Sequence, residues 1–402
     1  MVAWRETTLG EVCDQVNGII QTGPFGSQLH ESDYSVEGVP VIMPKDIIEG
    51  RIATESVARV SPEHVERLSR HKLEVGDIVY GRRGDIGRQA LIRAEQQGWL
   101  CGTGCLRLSF GGSVLDSLFL HYYLRQESVV RWISNQAVGA TLPNLNTGIL
   151  RSVPVSFPPL PVQHRIAGIL SAYDELIENS QRRIRILESM ARALYCDCIR
   201  EAGAPAPAKS ILDVDYWKFI SANVLPYEGT KRYYATADIE KLTIEGGGVA
   251  YAFAEKPSRA QKQPTAFSVW FARMKDTYKI VWYSDVNSQL ADSSMLSSGF
   301  AGFQATESLY FPLLFLTVSS KEFHVQKDLF CTGATQMSLA NEGLSRIEVP
   351  VLHETKARRL GEQVLPLLNQ MLILQIRNQN LRRTRNLLLP RLLSGLVNLG
   401  EN

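Results

Sequence analysis

Residues 161–200 read PVQHRIAGILSAYDELIENSQRRIRILESMARALYCDCIR, and the spacing of their hydrophobic side chains decides the fold. The spacing alternates between steps of four and three residues, which is typical of a coiled-coil seam. The other faces of this helix are densely charged and include Arg182, Arg183, Arg185 and Arg192. A narrow apolar stripe on a polar helix suits a two-helix rod better than a globular core. The predicted seam consists of Ile166, Leu170, Tyr173, Ile177, Ser180, Ile184, Leu187, Ala191 and Leu194.

The same pattern recurs 194 residues later, since Gly139-Ala140-Thr141 reappears as Gly333-Ala334-Thr335 and 333 − 139 = 194. The second seam has two polar interruptions, and Pro366 predicts that the second helix begins or bends there. The alternative is a pair of unrelated amphipathic helices that pack on separate cores. The second predicted seam consists of Leu360, Val364, Leu367, Met371, Leu374, Asn378, Leu381, Arg385 and Leu388.

The segments before the helices repeat more faintly. Residues 38–47 and 231–239 each predict an apolar strand that closes on Asp-Ile. Residues 201–208 read EAGAPAPA, a small-residue linker that contains proline. We therefore predict an α+β chain with an internal pseudo-twofold repeat and two long helices packed as an antiparallel coiled coil. Its parts are a globular domain at 1–160, a helical region at 161–200, a linker and similar domain at 201–352, and a helical region at 353–402.

Composition and motifs limit the function classes. The chain has 402 residues, 45% of them hydrophobic and 21% charged, with a net charge of +2. It shows no signal-peptide pattern and no apolar run long enough for a membrane span, so we expect a cytoplasmic protein. The six cysteines form no pair of CxxC motifs, and we expect structural thiols and no metal site. The motifs of phosphate loops, zinc peptidases, serine hydrolases and dinucleotide-binding folds are missing, which argues against catalysis by this chain.

Two loops of the first domain are candidates for DNA contact. Residues 22–29 form a turn with Ser27 and Gln28 near its tip, and residues 76–88 predict a strand followed by a glycine-rich hairpin. The hairpin carries Arg82, Arg83 and Arg88, and arginine can bind guanine edges or phosphate. Lys45, within the predicted strand segment at 38–47, is a further candidate. Alternatively, the glycines only make tight turns and the arginines are solvated or ion-paired with Asp77 and Asp85.

In the second domain the candidates for DNA contact lie in two basic stretches, and the alternative for all of them is plain solvation. A flexible basic loop with glutamine suits both adenine and phosphate. Lys275 and Lys279 are interpreted as alternating strand or loop charges, with DNA contact as the alternative. The candidates are Lys231, Arg232, Arg259, Gln261 and Lys262.

These residues resemble one known family, the specificity subunits of type I restriction-modification systems. The resemblance spans nearly the whole chain, and its most specific parts are residues 23–27 (GPFGS), 76–79 (GDIV), 82–87 (RRGDIG), 139–145 and 158–163 (PPLPVQ). It implies that each domain is a target recognition domain, reads one half of a split asymmetric site in double-stranded DNA, and is followed by a conserved helical region. Two methyltransferase subunits would dock on the helices and bring S-adenosylmethionine, and motor-nuclease subunits would use ATP and Mg²⁺.

The sequence also departs from this family pattern. The second helix follows His353-Glu354-Thr355-Lys356 instead of a proline-rich glutamine motif, which puts the symmetry of the two docking surfaces in doubt. We hypothesise that Asn378, as a buried polar seam residue, fixes the register of the helix pair.

Two other function classes compete with DNA recognition. A coiled-coil scaffold would bind proteins without DNA specificity, and a nuclease would cleave DNA by itself. The salt dependence of DNA binding separates the first of these from a DNA reader, because phosphate neutralisation releases counterions.

Overall fold

The computed structural model describes residues 3–55, 57–83, 86–136, 144–203, 206–333 and 336–396. The repeat motif at 139–141, its counterparts Ala334 and Thr335, Gly84, Asp85 and residues 204–205 of the linker lie outside these ranges. The chain divides into two compact units. Unit 1 comprises Met1–Leu176 with Leu381–Asn402, and unit 2 comprises Ile177–Asn380.

Unit 1 contains a mixed set of short strands and helices before its first long helix. The helices are α1 (Leu9–Gln15), α2 (Pro62–Arg67), α3 (Ser117–Tyr123), α4 (Glu127–Gln136) and α5 (Thr147–Arg151). The strands are β1 (Arg5–Thr8), β2 (Ile19–Thr22), β3 (Tyr34–Ser35), β4 (Val39–Ile42), β5 (Ile47–Ile48), β6 (Arg51–Ile52), β7 (Ala58–Val60), β8 (Ile78–Gly81), β9 (Gln89–Leu91), β10 (Leu100–Cys101), β11 (Cys105–Ser109) and β12 (Pro154–Phe157).

The first long helix, α6, covers Leu160–Glu201, and its last part belongs to unit 2. The shorter helices of unit 2 are α7 (Ser288–Asp292), α8 (Phe311–Val318), α9 (Lys321–Leu329) and α10 (Asn341–Leu344). Its strands are β13 (Ala208–Ser210), β14 (Trp217–Phe219), β15 (Lys231–Tyr234), β16 (Ile239–Glu240), β17 (Thr243–Ile244), β18 (Val249–Tyr251), β19 (Ala260–Lys262), β20 (Ser268–Ala272), β21 (Ile280–Tyr283), β22 (Ser294–Ser297), β23 (Phe300–Ala305) and β24 (Glu348–Pro350).

The second long helix, α11, covers Glu354–Leu393. Pro366 lies inside this helix at an exposed position, so the prediction that the helix begins there is wrong. The helix tolerates the proline because the missing N–H costs one hydrogen bond, which the packing of its apolar face offsets.

The strand order of the two units demonstrates the internal repeat. One antiparallel sheet runs β2-β11-β8-β9 in unit 1 and β14-β23-β20-β21 in unit 2, so equivalent strands occupy equivalent places. In the second sheet, β4 is parallel to β10 and antiparallel to β7. Likewise, β15 is parallel to β22 and antiparallel to β18. The predicted α+β class and internal repeat are confirmed.

A short polar turn follows β4 in unit 1 and the equivalent strand β15 in unit 2. The carboxylate of Asp46 accepts a hydrogen bond from the Met43 N–H at 2.9 Å, and that of Asp238 accepts one from the Ala235 N–H at 2.7 Å. Each aspartate thereby satisfies a backbone donor that the turn leaves unpaired. This turn is the structural basis of the Asp-Ile similarity seen in the sequence.

The long helices pack against the cores of both units. In unit 1, Ile166 and Leu170 of α6 share a core with Leu392 and Leu393 of α11, and Asp174 contacts Arg385. Because the partner number falls as the α6 number rises, the helices are antiparallel here, as the sequence predicted. In unit 2, Ala191 shares a core with residues from Ala357 to Leu372. Every predicted seam position, from Ile166 to Leu194 and from Leu360 to Leu388, is buried or half-buried.

Candidate nucleic-acid interface

In unit 1 the end of strand β8 brings together several of the predicted DNA-contact residues. The Gly81 N–H donates to the Arg88 carbonyl at 2.8 Å, and the Arg82 N–H donates to the Gly104 carbonyl at 2.8 Å. Strands β8 and β9 pair in an antiparallel hairpin, as the sequence predicted. A methyl group added at Gly104 would lie 3.4 Å from the ring of Pro44, the neighbour of exposed Lys45. Arg82, Arg88 and Lys45 therefore lie around one end of the sheet.

Arg82 is half-buried and holds a neighbouring segment in place. Its Nε donates to the side-chain oxygen of Asn144 at 3.0 Å and to the Leu145 carbonyl at 3.1 Å. The Leu145 N–H donates back to the Arg82 carbonyl at 3.0 Å. Arg83 and Arg88 are exposed. Asp77 is not the partner of these arginines, because its carboxylate pairs with buried Arg107 at 2.7 Å.

The loop at 22–29 begins at the same sheet, where the Gly23 N–H donates to the Cys105 carbonyl at 2.9 Å. Gln28 is half-buried and closes the turn, since its side-chain oxygen accepts from the Phe25 N–H at 3.1 Å. Ser27 is exposed at the tip. Of this pair, Ser27 has the more accessible side chain.

Unit 2 repeats the arrangement at the end of strand β20. The Ala272 N–H donates to the Lys279 carbonyl at 2.9 Å, and the Arg273 N–H donates to the Gly299 carbonyl at 2.9 Å. The guanidinium of Arg273 donates to the Leu339 carbonyl at 2.8 Å and to the Asn341 side chain at 2.9 Å. Arg273, Lys279 and Gly299 are thus the structural equivalents of Arg82, Arg88 and Gly104.

Most of the residues predicted for unit 2 have partners within the chain. The Lys231 Nζ donates to the Gln263 side chain at 2.6 Å, and the Arg232 guanidinium donates to the Gly247 carbonyl at 2.6 Å. The Gln261 side chain donates to the Ser258 carbonyl at 2.9 Å. Arg259 is exposed.

Burial affects the charge of two of these lysines. It lowers the pKa of Lys231 against the smaller opposing effect of Asp292, and it lowers the pKa of Lys262 together with the positive charge of Arg273. In both lysines the lowered pKa means that the protein disfavours the cationic form, and a bound anion would offset this effect.

Over the described ranges, no group of three or more His, Cys, Asp or Glu side chains is placed to hold a metal ion. All six cysteines are free thiols, and burial raises the pKa of Cys101 to about 12. Among the described helices, none is long and apolar enough to cross a membrane.

Comparison with known proteins identifies the first part of the chain. Residues 1–189 match the family model described as "Type I restriction modification DNA specificity domain". The putative type I restriction enzyme MjaX specificity subunit of Methanocaldococcus jannaschii is 25% identical over 202 residues, which cover 48% of this chain and 47% of the relative. The EcoBI specificity subunit of Escherichia coli is 25% identical over 182 residues, which cover 44% of this chain and 36% of the relative. The matches span about half the length of these relatives or less.

A solved structure shares the fold. The type I restriction-modification S subunit from M. genitalium superposes with a TM-score of 0.59 at 17% identity, covering 97% of this chain and 96% of that one. The likeness extends over both units, and it supports the repeated architecture. The resemblance inferred from the sequence is confirmed.

Proposed function

We propose, because residues 1–189 belong to the type I restriction-modification DNA specificity domain family, that the whole chain is a sequence-specific DNA reader without catalysis of its own. Each unit would read one half of a split asymmetric site in double-stranded DNA. The observation that carries the proposal is the repeated sheet end, where cations stand at equivalent places: Arg82 and Arg88 in unit 1, Arg273 and Lys279 in unit 2. Two similar readers in one chain suit two separate blocks of sequence.

The chemistry of modification and cleavage would come from partners. Under this proposal the long helices dock two methyltransferase subunits, which bind S-adenosylmethionine, and motor-nuclease subunits bind ATP and Mg²⁺. The proposal places the complex in the cytoplasm. The division of the chain into recognition domains at 1–160 and 201–352 and helical regions at 161–200 and 353–402 belongs to it as well.

Within unit 1 the proposal assigns different tasks to the predicted residues. The side chains of Ser27, Arg83 and Arg88 are exposed, whereas Arg82 and Gln28 form hydrogen bonds that fix the conformation of their loops. Arg83 is the sharpest candidate for base contact, because it is exposed in the described part of the hairpin, directly after Arg82. Lys45 is exposed beside the same sheet end and suits phosphate.

The test is a selection of random duplexes with the chain co-expressed with the products of its neighbouring genes, with S-adenosylmethionine present. We expect enrichment of two short blocks separated by a fixed unspecified gap. Arg83→Ala should weaken discrimination at one block by about 1–3 kcal/mol and leave the other unchanged. Arg131→Ala, which removes an exposed arginine of α4, is the matched control.

The scaffold alternative gives a different result. Protein partners would still co-purify, but no sequence would be enriched and the fall of affinity with salt would be shallow. That outcome would overturn the proposal.

A further inference from the structure

A cluster of four cations surrounds the Gly299 turn in unit 2, and the basic stretches of the sequence account for only two of them. A methyl group added at Gly299 would lie 3.8 Å from Arg259 Nη2 and 3.3 Å from Thr236 Cγ2. The Lys279 Nζ donates to the Thr236 carbonyl at 3.0 Å. Arg273 donates its N–H to the Gly299 carbonyl, and Lys262 lies opposite Leu296 of β22, the strand that leads into this turn. The four cations, Arg259, Lys262, Arg273 and Lys279, are called the Gly299 cluster below.

The positive charge of the Gly299 cluster is not neutralised by any ion pair among the residues that the structure describes. None of its four side chains forms an ion pair with a described residue, and their hydrogen-bond partners are neutral carbonyl or amide oxygens. Cations at this density repel one another and favour an anionic ligand. A lysine ammonium has three donors, so Lys279 retains capacity for a phosphate oxygen beside its bond to Thr236.

The position of the cluster in the fold gives a second, independent argument. Arg273, Lys279 and Gly299 are the equivalents of Arg82, Arg88 and Gly104 in unit 1, as the matching main-chain hydrogen bonds establish. The same end of the same sheet is therefore cationic in both units. One cationic strand end could arise by chance, but the recurrence at equivalent strand ends favours a shared anionic ligand.

We infer that the Gly299 cluster is the phosphate-binding patch of unit 2, in which Arg259, Lys262 and Lys279 contact the DNA backbone. Arg273 is a positioning residue, because its guanidinium is committed to Leu339 and Asn341. This inference rests on the proposed function and deepens it. It adds Lys279 and Arg273 to the predicted interface. Of the residues predicted from the sequence, it assigns Arg259 and Lys262 to the phosphate-binding patch and leaves out Lys231 and Arg232.

The experiment measures the affinity of the full-length chain, in complex with its partners, for a selected duplex and a scrambled duplex over a range of salt. Each of the variants Arg259→Gln, Lys262→Gln and Lys279→Gln should make the fall of log affinity with log salt less steep by about 0.9. At 0.15 M salt this corresponds to an affinity about fivefold weaker. The loss should be equal on both duplexes, because phosphate carries no sequence information. Lys279→Arg, which keeps the charge, should keep the slope.

Lys321→Gln is the matched control, since it removes an exposed charge of unit 2 at the start of α9, outside the cluster. Unchanged slopes for the three cluster variants would overturn the inference, and so would a loss confined to duplexes with an intact second block. The proposed function fails separately, when the unaltered chain enriches no split site.

Discussion

Where the long helices pack against the core, unit 1 has a buried ion pair at backbone positions at which unit 2 has apolar side chains. In unit 1, Asp174 is buried between Arg385 and Arg125 and accepts a hydrogen bond from the Tyr122 hydroxyl at 2.8 Å. With the offset of 194, the equivalents of Asp174 and Arg385 in unit 2 are Leu368 and Ala191, both fully buried. The two repeats therefore share a backbone fold, but equivalent buried positions hold charged side chains in one and apolar side chains in the other.

The buried ion pair makes the stability of unit 1 depend on every one of its charged members. Burial opposes ionisation of Asp174, but the charges of Arg385 and Arg125 and the hydrogen bonds of Arg385 and Tyr122 outweigh it and hold its pKa below 3.8. A buried ion pair of this kind is stable only while all its members remain. Leu368 and Ala191 have no such dependence.

The largest effect is expected for Asp174→Ala, which leaves two buried guanidinium groups without a counter-charge. We expect unit 1 to lose about 3–5 kcal/mol of stability. Hydrogen exchange followed by mass spectrometry reports the loss separately for each unit. The exchange of unit 2 should remain unchanged.

The control for this prediction places the side chains of unit 2 at the equivalent positions of unit 1. The triple variant Asp174→Leu, Arg125→Ser and Arg385→Ala installs the residues found at 368, 319 and 191. It should be more stable than Asp174→Ala, because no charge is left buried. A triple variant as unstable as the single one would contradict the view that unpaired charge is the cause.

Sequence reasoning found the repeat but not the tertiary partners of its polar residues. The seam from Ile166 to Leu194 was predictable because helical spacing is local. Arg385 was recognised only as an interruption, since its partner Asp174 lies 211 residues away in the chain. Of the two outcomes that Pro366 predicted, a helix start there was wrong, because packing overrode a local signal.

The candidate interface shows the same limit. Arg83 and Arg88 were proposed from the sequence because they stand close together in a glycine-rich stretch. Arg273 was not among the candidates, because its charge alone does not distinguish it from Lys275 two residues later, and a fixed offset of 194 from Arg82 leads to Asp276 instead. The true offset is 273 − 82 = 191, because loops of different length shift the register. Arg232 was included from charge alone, and its bond to the Gly247 carbonyl could not be read from the sequence.

An intermediate effect is expected from a buried histidine that only unit 2 carries at this position. Burial, followed by the charge of Lys327, lowers the pKa of His324 to about 4, whereas the equivalent residue of unit 1 is Val130. The folded state keeps this histidine neutral, and the unfolded chain protonates it near pH 6.5. Its contribution to stability is therefore present above pH 6.5 and is lost as the pH falls towards 4, by up to about 1.4 kcal/mol per pH unit.

His324→Val should remove this slope from unit 2, as measured by hydrogen exchange between pH 7 and pH 4. The converse variant is His121→Phe in unit 1, which installs the residue found at 315. Burial, followed by Arg125, lowers the pKa of His121 to about 3, so this variant should flatten the slope of unit 1 alone. If either variant flattened both slopes, the titrations would not belong to the separate units.

The smallest effect concerns the one seam position where an amide in α11 corresponds to a hydrocarbon in α6. Asn378 is 6% exposed, and its side-chain oxygen has no hydrogen-bond partner among the described residues. Its equivalent is Ile184. Asn378→Leu should raise the stability of unit 2 by about 1 kcal/mol, because a buried amide oxygen without a hydrogen bond is removed and the new side chain is of similar size.

Stability alone does not explain why an asparagine stands at 378, and the register hypothesis makes a further prediction. A buried polar seam residue penalises alternative alignments, so Asn378→Leu should gain stability and lose uniqueness of the helix pairing. The readout is the gap between the two selected DNA blocks, which a slipped pairing would broaden into several lengths. Ile184→Leu at the equivalent position of α6 should leave the gap single. A more stable Asn378→Leu chain with one unchanged gap would mean that the amide does not set the register.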